Sequence, residues 1–241
     1  MKRVREFAAG FGVAPSGIAA PGTVLFAVAW LGLACFTAFA QEPKPAADRW
    51  EPEIRKFEEL ELKSASPAGA NLFVGSSSIR MWKLPASFPK HPCINRGFGG
   101  SEMADSARYA DRIVIPSKPR VVVLYAGDND ISKGKSPATI RDDYRVFRDK
   151  IQTALPDTKI VVIAVKPSPS RWKLSEQALK ANRLLREETM AGKNQVFVDI
   201  WTPMLAENGM PRAELFVKDQ LHMNDDGYKL WSELIEPHLV D

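Results

Sequence analysis

Short apolar segments that alternate with helical patterns constrain this fold more than any other feature of the sequence. Two of them, residues 120–125 (RVVVLY) and 159–165 (KIVVIAV), are almost uninterrupted, which is typical of parallel strands buried on both faces. Three shorter segments begin at Asn71, Cys93 and Gln195. Because strand and helix alternate five times, the sequence predicts one α/β domain with a parallel sheet covered by helices on both faces.

Distinctive loops follow the carboxyl ends of these predicted strands. In parallel sheets, the loops at that edge form the ligand site. Glycine, proline or small polar residues dominate four of the loops, and a fifth polar segment precedes the last predicted helix. The five segments are 75–78, 97–101, 127–130, 166–172 and 219–222. The sequence therefore predicts that a functional site is built from them.

The amino-terminal segment is predicted to be a signal peptide that covers residues 1–40. Basic residues precede an apolar run at 23–39, and Ala38-Phe39-Ala40 has the small-x-small pattern of a cleavage site. Residues 41–47 (QEPKPAA) are interpreted as a linker, and the domain is assigned to residues 48–241. Export to the periplasm or the cell exterior follows from this interpretation. An uncleaved membrane anchor is the alternative.

Charge and cysteine content argue against two other classes of protein. The whole chain has a net charge of +4, which falls to +2 when the basic signal segment is removed. No basic cluster interleaved with aromatic residues remains, so nucleic-acid binding is not predicted. Cys93 is the only cysteine of the predicted mature chain, so this exported domain must rely on its core and not on disulfide bonds.

The loop at 75–78 contains candidate nucleophiles. Gly75 ends the apolar strand, and three serines, Ser76, Ser77 and Ser78, lead into residues that begin a helix. Backbone N–H groups at such a strand-to-helix corner stabilise negative charge. A serine at this corner is either an activated nucleophile or an ordinary helix cap, and the corner alone does not distinguish the two roles.

Only one of the three histidines lies in a pattern suited to catalysis. His222 follows Asp219 by three residues, whereas His91 and His238 are interpreted as surface residues. Residues three apart in a turn or helix approach each other, so Asp219 can accept a hydrogen bond from the imidazole. A carboxylate in this place fixes the tautomer and stabilises the imidazolium formed in general-base catalysis. Taken alone, an Asp-x-x-His pair is also common by chance.

Two further loops contain candidate hydrogen-bond donors. Asn129 lies among Gly127, Asp128 and Asp130, and its side-chain amide can donate to a developing oxyanion. Gly100 can add a backbone N–H to the same site, just before a helix for which Ser101 is the predicted cap. The alternative is a purely structural role, since Asn, Asp and Gly are the usual residues of tight turns.

In this order, the four segments resemble the blocks that define the SGNH (GDSL-like) hydrolases, a family of serine esterases. The blocks are 75–77 (GSS), 95–100 (NRGFGG), 127–130 (GDND) and 219–222 (DQLH), and 224–228 (NDDGY) resembles the family's Asn-x-x-Gly-Tyr. The resemblance extends from Asn71 to Tyr228. It is greatest to the branch that includes platelet-activating-factor acetylhydrolase-like proteins and secreted bacterial esterases.

The resemblance implies a fold, a reaction and a set of site residues. The fold is a flavodoxin-like three-layer α/β/α sandwich with a five-stranded parallel sheet. The reaction is hydrolysis of a carboxylic ester on a small molecule or glycan, with O-acetylated carbohydrates included, and it needs no cofactor or metal. No stable membrane insertion is implied after signal cleavage. The implied roles are Ser77 as nucleophile, His222 as base, Asp219 as the residue orienting it, and Ser77, Gly100 and Asn129 as the oxyanion hole.

One departure from the family pattern leaves alternatives open. Ser76 stands where the family has Asp, and its hydroxyl is expected to accept a backbone N–H in place of the carboxylate. Ser77 keeps the spacing from Gly75 and is the preferred nucleophile, with Ser76 next. A lipid or aryl ester hydrolase and a non-catalytic module that binds acylated glycans remain alternatives. A metallophosphoesterase is a further alternative, and its metal site would be formed by Asp128, Asp130, Asp219 and His222.

Overall fold

The computed structural model describes residues 48–67 and 69–240. The signal peptide predicted for residues 1–40 and the linker predicted for residues 41–47 lie outside these described residues. None of the helices within the described part of the chain combines the length and the apolar composition that crossing a membrane requires.

Five parallel strands form one sheet, as the alternation of apolar segments predicts. The strands are β1 (Asn71–Gly75), β2 (Cys93–Gly97), β3 (Val121–Tyr125), β4 (Lys159–Ile163) and β5 (Gln195–Val198). Their order across the sheet is β2-β1-β3-β4-β5, the order of flavodoxin-like folds. The predicted flavodoxin-like topology with a five-stranded parallel sheet is therefore confirmed.

Helices cover both faces of this sheet. They are α1 (Glu51–Lys63), α2 (Ser77–Arg80), α3 (Leu84–Ser87), α4 (Met103–Ile113), α5 (Asp128–Ser132), α6 (Pro137–Ala154), α7 (Ser175–Ala191) and α8 (Asp225–Ile235). Helices α1, α4, α6 and α7 contribute to the core on one face, whereas α2, α3 and α8 contribute to the core on the other. This arrangement confirms the predicted three-layer sandwich.

Side chains of successive strand residues point alternately to the two faces of the sheet, and each face has its own hydrophobic core. Leu72 and Val74 of β1 point into the first core, where Phe147 of α6 is also buried. Phe73 points into the second, together with Trp231 of α8. Full burial of one such side chain contributes roughly 1.5–3 kcal/mol. Because every residue of β1 and β3 is buried, these central strands form a rigid base for the loops at their carboxyl ends.

The amino terminus of α4 differs from the prediction. Ser101 is not the cap; Glu102 caps the helix, and its side chain accepts a hydrogen bond from the Asp105 backbone N–H. The Asp105 side chain in turn accepts one from the Glu102 N–H at 2.9 Å. This reciprocal capping box satisfies two backbone donors, which one serine hydroxyl cannot do. Ser101 is buried instead in the turn before the helix.

The order in which strands are added to the sheet reverses between β1 and β3. After β1 the chain moves outward to β2, and after β2 it returns to form β3 on the other side of β1. The register aligns Gly75 at the end of β1 with Gly97 of β2 and with Tyr125 of β3. The loops that leave these three aligned residues therefore meet at one crevice, the usual place for a ligand in an open parallel sheet.

Candidate active site

Gly75 ends β1 at a position that only glycine fits. Its φ is +137°, and a Cβ there would lie 1.9 Å from the Tyr125 carbonyl oxygen of β3. A residue with a side chain is excluded here both by the positive φ and by the lack of room beside the β3 backbone. The chain can therefore turn sharply from β1 into α2, and Ser77 becomes the first residue of that short helix.

Helix α2 is anchored by contacts with three other parts of the fold. Ile79 is buried in the second core, and the Asn95 side-chain amide of β2 donates to the Ile79 carbonyl at 2.7 Å. The Tyr228 hydroxyl of α8 donates to the Ser78 carbonyl at 2.9 Å. These bonds hold the backbone of the two residues that follow Ser77.

The expectation for the Ser76 hydroxyl is wrong. Its side chain makes no capping hydrogen bond to α2. The Ser76 main chain makes the contacts instead: its N–H donates to the Tyr125 carbonyl, and its carbonyl accepts from the N–H groups of Ile79 and Arg80. The corner is thus held by backbone hydrogen bonds and by the close approach of β1 to β3, without a carboxylate or its substitute.

Ser77, His222 and Asp219 form one chain of hydrogen bonds. The Ser77 Oγ lies 2.9 Å from His222 Nε2, and His222 Nδ1 lies 2.6 Å from Asp219 Oδ2. An ionised carboxylate can only accept, so Nδ1 carries the proton in this pair. The lone pair of Nε2 then faces the Ser77 hydroxyl. The structure therefore brings together three residues that are separated by up to 145 positions in the sequence.

Asp219 also organises the turn that presents His222. Its Oδ1 accepts hydrogen bonds from the backbone N–H groups of Leu221 and His222, at 2.8 and 2.9 Å. Gln220, which lies between Asp219 and Leu221, adopts a left-handed backbone with a φ of 56°. Partial burial opposes ionisation of Asp219, but the bonds from the His222 ring and the two backbone N–H groups lower its pKa to about 2. The carboxylate is therefore charged at neutral pH.

Gly100 lies in a turn that is tied to the end of β1. The Phe98 N–H donates to the Gly75 carbonyl at 2.9 Å, and Gly100 itself has a φ of +75°. The Gly97 N–H donates to the Asn95 side-chain oxygen at 2.9 Å. Sequence reasoning placed Asn95 in the second block without a role. Its amide in fact links the end of β2 to α2.

Asn129 is joined to this same turn. Its Nδ2 donates to the carbonyl oxygen of Ser101, the residue after Gly100, at 2.9 Å. Its Oδ1 accepts a hydrogen bond from Arg171 Nη2 at 3.2 Å. The third block therefore lies against the second, and both lie at the edge of the sheet from which Ser77 emerges.

A buried ion cluster lies beneath these loops. Lys166 Nζ, at the end of β4, lies 2.8 Å from Asp128 Oδ2, 3.1 Å from the Tyr125 hydroxyl and 3.3 Å from Ser78 Oγ. Arg171 Nη1 lies 2.7 Å from the other Asp128 oxygen. Burial opposes charge on both Lys166 and Asp128. Their attraction outweighs it, raising the pKa of Lys166 and lowering that of Asp128.

Sequence reasoning missed this cluster. The sequence analysis counts residues 166–172 among the segments that build the site and Asp128 among the residues of the third block, but it does not pair Lys166 with Asp128. The available signal was a lysine directly after one buried strand and an aspartate just after its neighbour, β3. Because the carboxyl ends of adjacent parallel strands meet, such a pair can form an ion pair.

The residues required by a metal-dependent phosphoesterase do not converge. Asp128 contacts Lys166 and Arg171, whereas Asp130 accepts hydrogen bonds from the Met103 backbone N–H at 3.1 Å. Across residues 48–67 and 69–240, no three His, Cys, Asp or Glu side chains are grouped so that they could hold a metal ion. The residues present therefore do not fit that alternative.

The sequence of this chain matches one family of enzymes. Residues 74–230, which are more than half of the chain, match the profile of the GDSL-like Lipase/Acylhydrolase family. The matched region contains Ser77, Gly100, Asn129, Asp219 and His222. No curated protein matches the chain in sequence.

Solved structures with the same fold include three proteins of bacterial origin. One, from Streptococcus pneumonia and provisionally named a platelet activating factor, is 20% identical with a TM-score of 0.73, and the match covers 79% of this chain and 92% of the other. A GDSL-like lipase from Bacteroides thetaiotaomicron is 21% identical with a TM-score of 0.66, covering 77% and 96%. A catalytic mutant of an acetylxylan esterase from Geobacillus stearothermophilus is 14% identical with a TM-score of 0.58, covering 70% and 94%.

Proposed function

Because this chain belongs to the GDSL-like lipase/acylhydrolase family and is an ester hydrolase, we propose that it cleaves carboxylic esters with a Ser77–His222–Asp219 triad. One observation carries the proposal: Ser77 Oγ lies 2.9 Å from His222 Nε2, and His222 Nδ1 lies 2.6 Å from an Asp219 oxygen. Both distances fit a nucleophile, a base and the residue that orients the base.

The proposed reaction proceeds through an acyl-enzyme. Ser77 Oγ attacks the ester carbonyl carbon while His222 Nε2 takes the hydroxyl proton, and Asp219 stabilises the imidazolium. The tetrahedral intermediate then collapses, and the alcohol leaves with the proton from His222. A water molecule attacks the acyl-enzyme with His222 again as base, which releases the carboxylic acid and restores Ser77.

The proposed oxyanion hole consists of the Ser77 N–H, the Gly100 N–H and the Asn129 side-chain amide. Ser77 begins α2, so its N–H has no acceptor within the helix. The bond from Asn129 Nδ2 to the Ser101 carbonyl keeps this amide beside the Gly100 turn. Removing one donor of such a hole typically lowers kcat by about 10²–10³.

For the substrate, we propose short acyl esters, with O-acetyl groups on carbohydrates as the first class to test. An acetylxylan esterase shares the fold, although that likeness supports the architecture and not the specificity. Lipid or aryl esters are a second class, favoured by a groove of about 630 Å³ that runs between α3 and α8, just beyond the end of α2. Met81, Val217 and Met223 give this groove an apolar lining, and Met223 directly follows His222.

An ester panel separates these two classes. Para-nitrophenyl esters of increasing acyl length are compared with acetylated xylo-oligosaccharides, with kcat/KM as the measurement. Carbohydrate deacetylation together with a steep loss of activity beyond acetyl supports the first class. Rising kcat/KM with acyl length supports the second.

The catalytic proposal is tested by covalent labelling and by mutation. A fluorophosphonate probe is expected to label Ser77, and Ser77→Ala is expected to abolish turnover of para-nitrophenyl acetate without loss of the fold. Ser76→Ala is the matched control, because it alters the neighbouring serine, whereas the hydrogen bond to His222 Nε2 is made by Ser77. Labelling of Ser76, or turnover that survives Ser77→Ala, would contradict the proposal. The absence of any turnover would favour a binding module.

We also propose that the protein is exported and that cleavage after Ala40 releases a domain that starts near Asp48 after a short linker. The support is the sequence pattern of residues 1–40. Amino-terminal sequencing of the protein recovered from the host is expected to begin at Gln41. A chain that retains residues 1–40 in the membrane fraction would favour the uncleaved anchor.

A further inference from the structure

Two arginines beside the Gly100 turn have no carboxylate partner among the described residues. Eleven of the fourteen arginines in the described part of the chain form ion pairs, as Arg96 does with Glu61 and Arg112 does with Glu51. The three without one are Arg49, Arg80 and Arg120. Arg49 and Arg80 line the same groove beside the second block. Arg120 lies at the opposite end of the sheet, before β3.

Both guanidinium groups pack against consecutive glycines of the second block. A Cβ at Gly99 would lie 2.8 Å from Arg80 Cζ, and a Cβ at Gly100 would lie 3.0 Å from Arg49 Nη2. Arg49 Nη2 also donates to the Gly100 carbonyl at 3.1 Å. The absence of side chains at the two glycines therefore brings two positive charges next to the proposed oxyanion hole.

The Arg49 guanidinium is held in place on a second side. Its Cζ lies 3.7 Å from the centre of the Trp50 ring, a cation–π contact. Arg80 is the last residue of α2 and follows Ser77 by three positions. Residues at this spacing lie on the same side of a helix, so Arg80 is on the side of Ser77. The Arg49 guanidinium, held in this way, loses little freedom when it binds a planar anion.

A groove of about 620 Å³ connects these two arginines with α1. Lys56 adds a third positive charge to its lining, and Glu53 adds the only carboxylate. The groove is therefore positive overall. The lining of this positive groove includes Arg80, the last residue of α2. The lining of the apolar groove near Met223 includes the next residue, Met81. The two grooves thus differ in chemistry, since one is positive and the other has an apolar lining.

We propose that Arg49 and Arg80 form a subsite for a carboxylate carried by the ester substrate. This inference rests on the proposed function, because it places the carboxylate on the Gly100 side of an ester whose carbonyl carbon faces Ser77. The fork of N–H donors on each guanidinium matches the two oxygens of a carboxylate. The substrate class is an ester of an acidic sugar or of a dicarboxylic acid.

Matched pairs of esters test the subsite. In the first pair, para-acetoxybenzoate is compared with its neutral methyl ester. The charge of para-acetoxybenzoate is on the alcohol part of the ester. In the second pair, the mono-para-nitrophenyl ester of adipic acid is compared with para-nitrophenyl hexanoate. The charge of the adipate ester is on the acyl group. In one of the two pairs, kcat/KM is expected to be about tenfold higher for the charged ester. This preference should fall as ionic strength rises from about 0.05 to 1 M, because salt screens exposed charges.

The variants Arg49→Gln and Arg80→Gln are each expected to reduce that preference, and the double variant to abolish it. The two esters of a pair are compared on the same variant, so a general loss of activity cancels from the ratio. Arg80→Glu should reverse the preference. Arg120→Gln is the control, since it removes the third unpaired arginine far from the site and should leave the ratio unchanged.

The outcomes separate this inference from the proposed function. Turnover that depends on Ser77 but shows no preference in either pair, or a preference that survives both arginine substitutions, would overturn the subsite alone. Turnover of the neutral esters that survives Ser77→Ala would overturn the proposed function instead. A preference that depends on Ser77, Arg49 and Arg80 supports both.

Discussion

Arg171 donates a hydrogen bond from Nη2 to the Oδ1 atom of Asn129 at 3.2 Å, and this bond fixes the orientation of the Asn129 amide. With its oxygen held by the guanidinium, the amide presents Nδ2 toward the Gly100 turn, where one hydrogen already bonds the Ser101 carbonyl. Rotation of the amide would place an oxygen where the proposed oxyanion forms. Arg171 is therefore a positioning residue for the proposed reaction, and Asp128 holds its other side.

Substitution of Arg171 by Gln is expected to lower kcat by about tenfold to a hundredfold, with a smaller change in KM. The loss should be less than the ~10²–10³ that removal of an oxyanion donor costs, because Asn129 remains and only its orientation is released. Steady-state kinetics with para-nitrophenyl acetate measure both constants. Lys173→Gln is the matched control, because Lys173 is an exposed cation in the same turn.

A double-mutant cycle distinguishes positioning from a general structural effect. If Arg171 acts through Asn129, then Arg171→Gln should have little further effect on kcat once Asn129→Ala is present. Additive losses in the double variant would contradict this relationship. The free energy of unfolding of each variant, measured in urea, separates lost activity from lost stability.

Substitution of Asp219 by Asn should reduce kcat without unfolding the turn. An amide oxygen can still accept the N–H groups of Leu221 and His222, but it supplies no charge to stabilise the imidazolium. The loss is expected to be about 10²–10³, below the ~10⁴ known for a buried triad aspartate, because the Asp219 side chain is 48% exposed and solvent screens it. Asp226→Asn, at an exposed acid of α8, is the control and should retain kcat.

The arrangement of the fold follows from local patterns in the sequence. The continuous apolar runs of β3 and β4 predict buried parallel strands, and parallel strands bring their carboxyl ends to one edge. Four ordered blocks at that edge support the family resemblance, which the match over residues 74–230 confirms. The ester hydrolase class follows from the same match. The roles of Ser77, His222 and Asp219 remain predictions, although the three side chains are in contact.

Features that depend on contacts between distant segments could not be predicted in the same way. The Lys166–Asp128 pair joins the ends of two strands, and nothing in either segment alone identifies its partner. The positions of Arg49 and Arg80 depend on Gly99 and Gly100, which approach them from the turn after β2. The predicted cap of α4 is wrong by one residue, because serine is the favoured cap by residue type and only the reciprocal contact with Asp105 selects Glu102.

Replacement of Lys166 by Met is expected to destabilise the fold by roughly 3–5 kcal/mol, since it leaves the Asp128 carboxylate buried with one fewer cation. The free energy of unfolding in urea measures the effect. Lys180→Met is the control: Lys180 forms an exposed pair with Glu176, and loss of such a pair costs about 0–1 kcal/mol.

The double variant Lys166→Met with Asp128→Asn tests the reason for this loss. Removing the buried charge together with its partner should recover most of the lost free energy of unfolding. If the double variant is as unstable as Lys166→Met alone, the loss arises from packing around Tyr125 and Ser78 and not from the unpaired carboxylate.

Asp130 is a buried carboxyl group with a raised pKa. Its side chain is fully buried beneath the third block, and burial raises its pKa to about 6. Lys135 Nζ, 3.4 Å away, and the Met103 N–H oppose this rise, whereas the nearby Glu102 carboxylate adds to it. The folded state therefore retains a proton on Asp130 at pH values where the unfolded chain, with an ordinary pKa of 3.8, has lost it.

The stability that Asp130 contributes should consequently decrease as pH rises. Below about pH 4 both states hold the proton, and between about pH 4 and 6 only the folded state does, so the free energy of unfolding falls through this window. A shift of about two pKa units corresponds to roughly 2–3 kcal/mol. Asp130→Asn removes the titration, so this variant should gain stability relative to the wild type between pH 4.5 and 7.5. Urea unfolding at both pH values measures the gain, and Asp111→Asn at an exposed acid should show none. A stability difference between the wild type and Asp130→Asn that stays constant over this range would mean that Asp130 is ionised throughout and paired with Lys135.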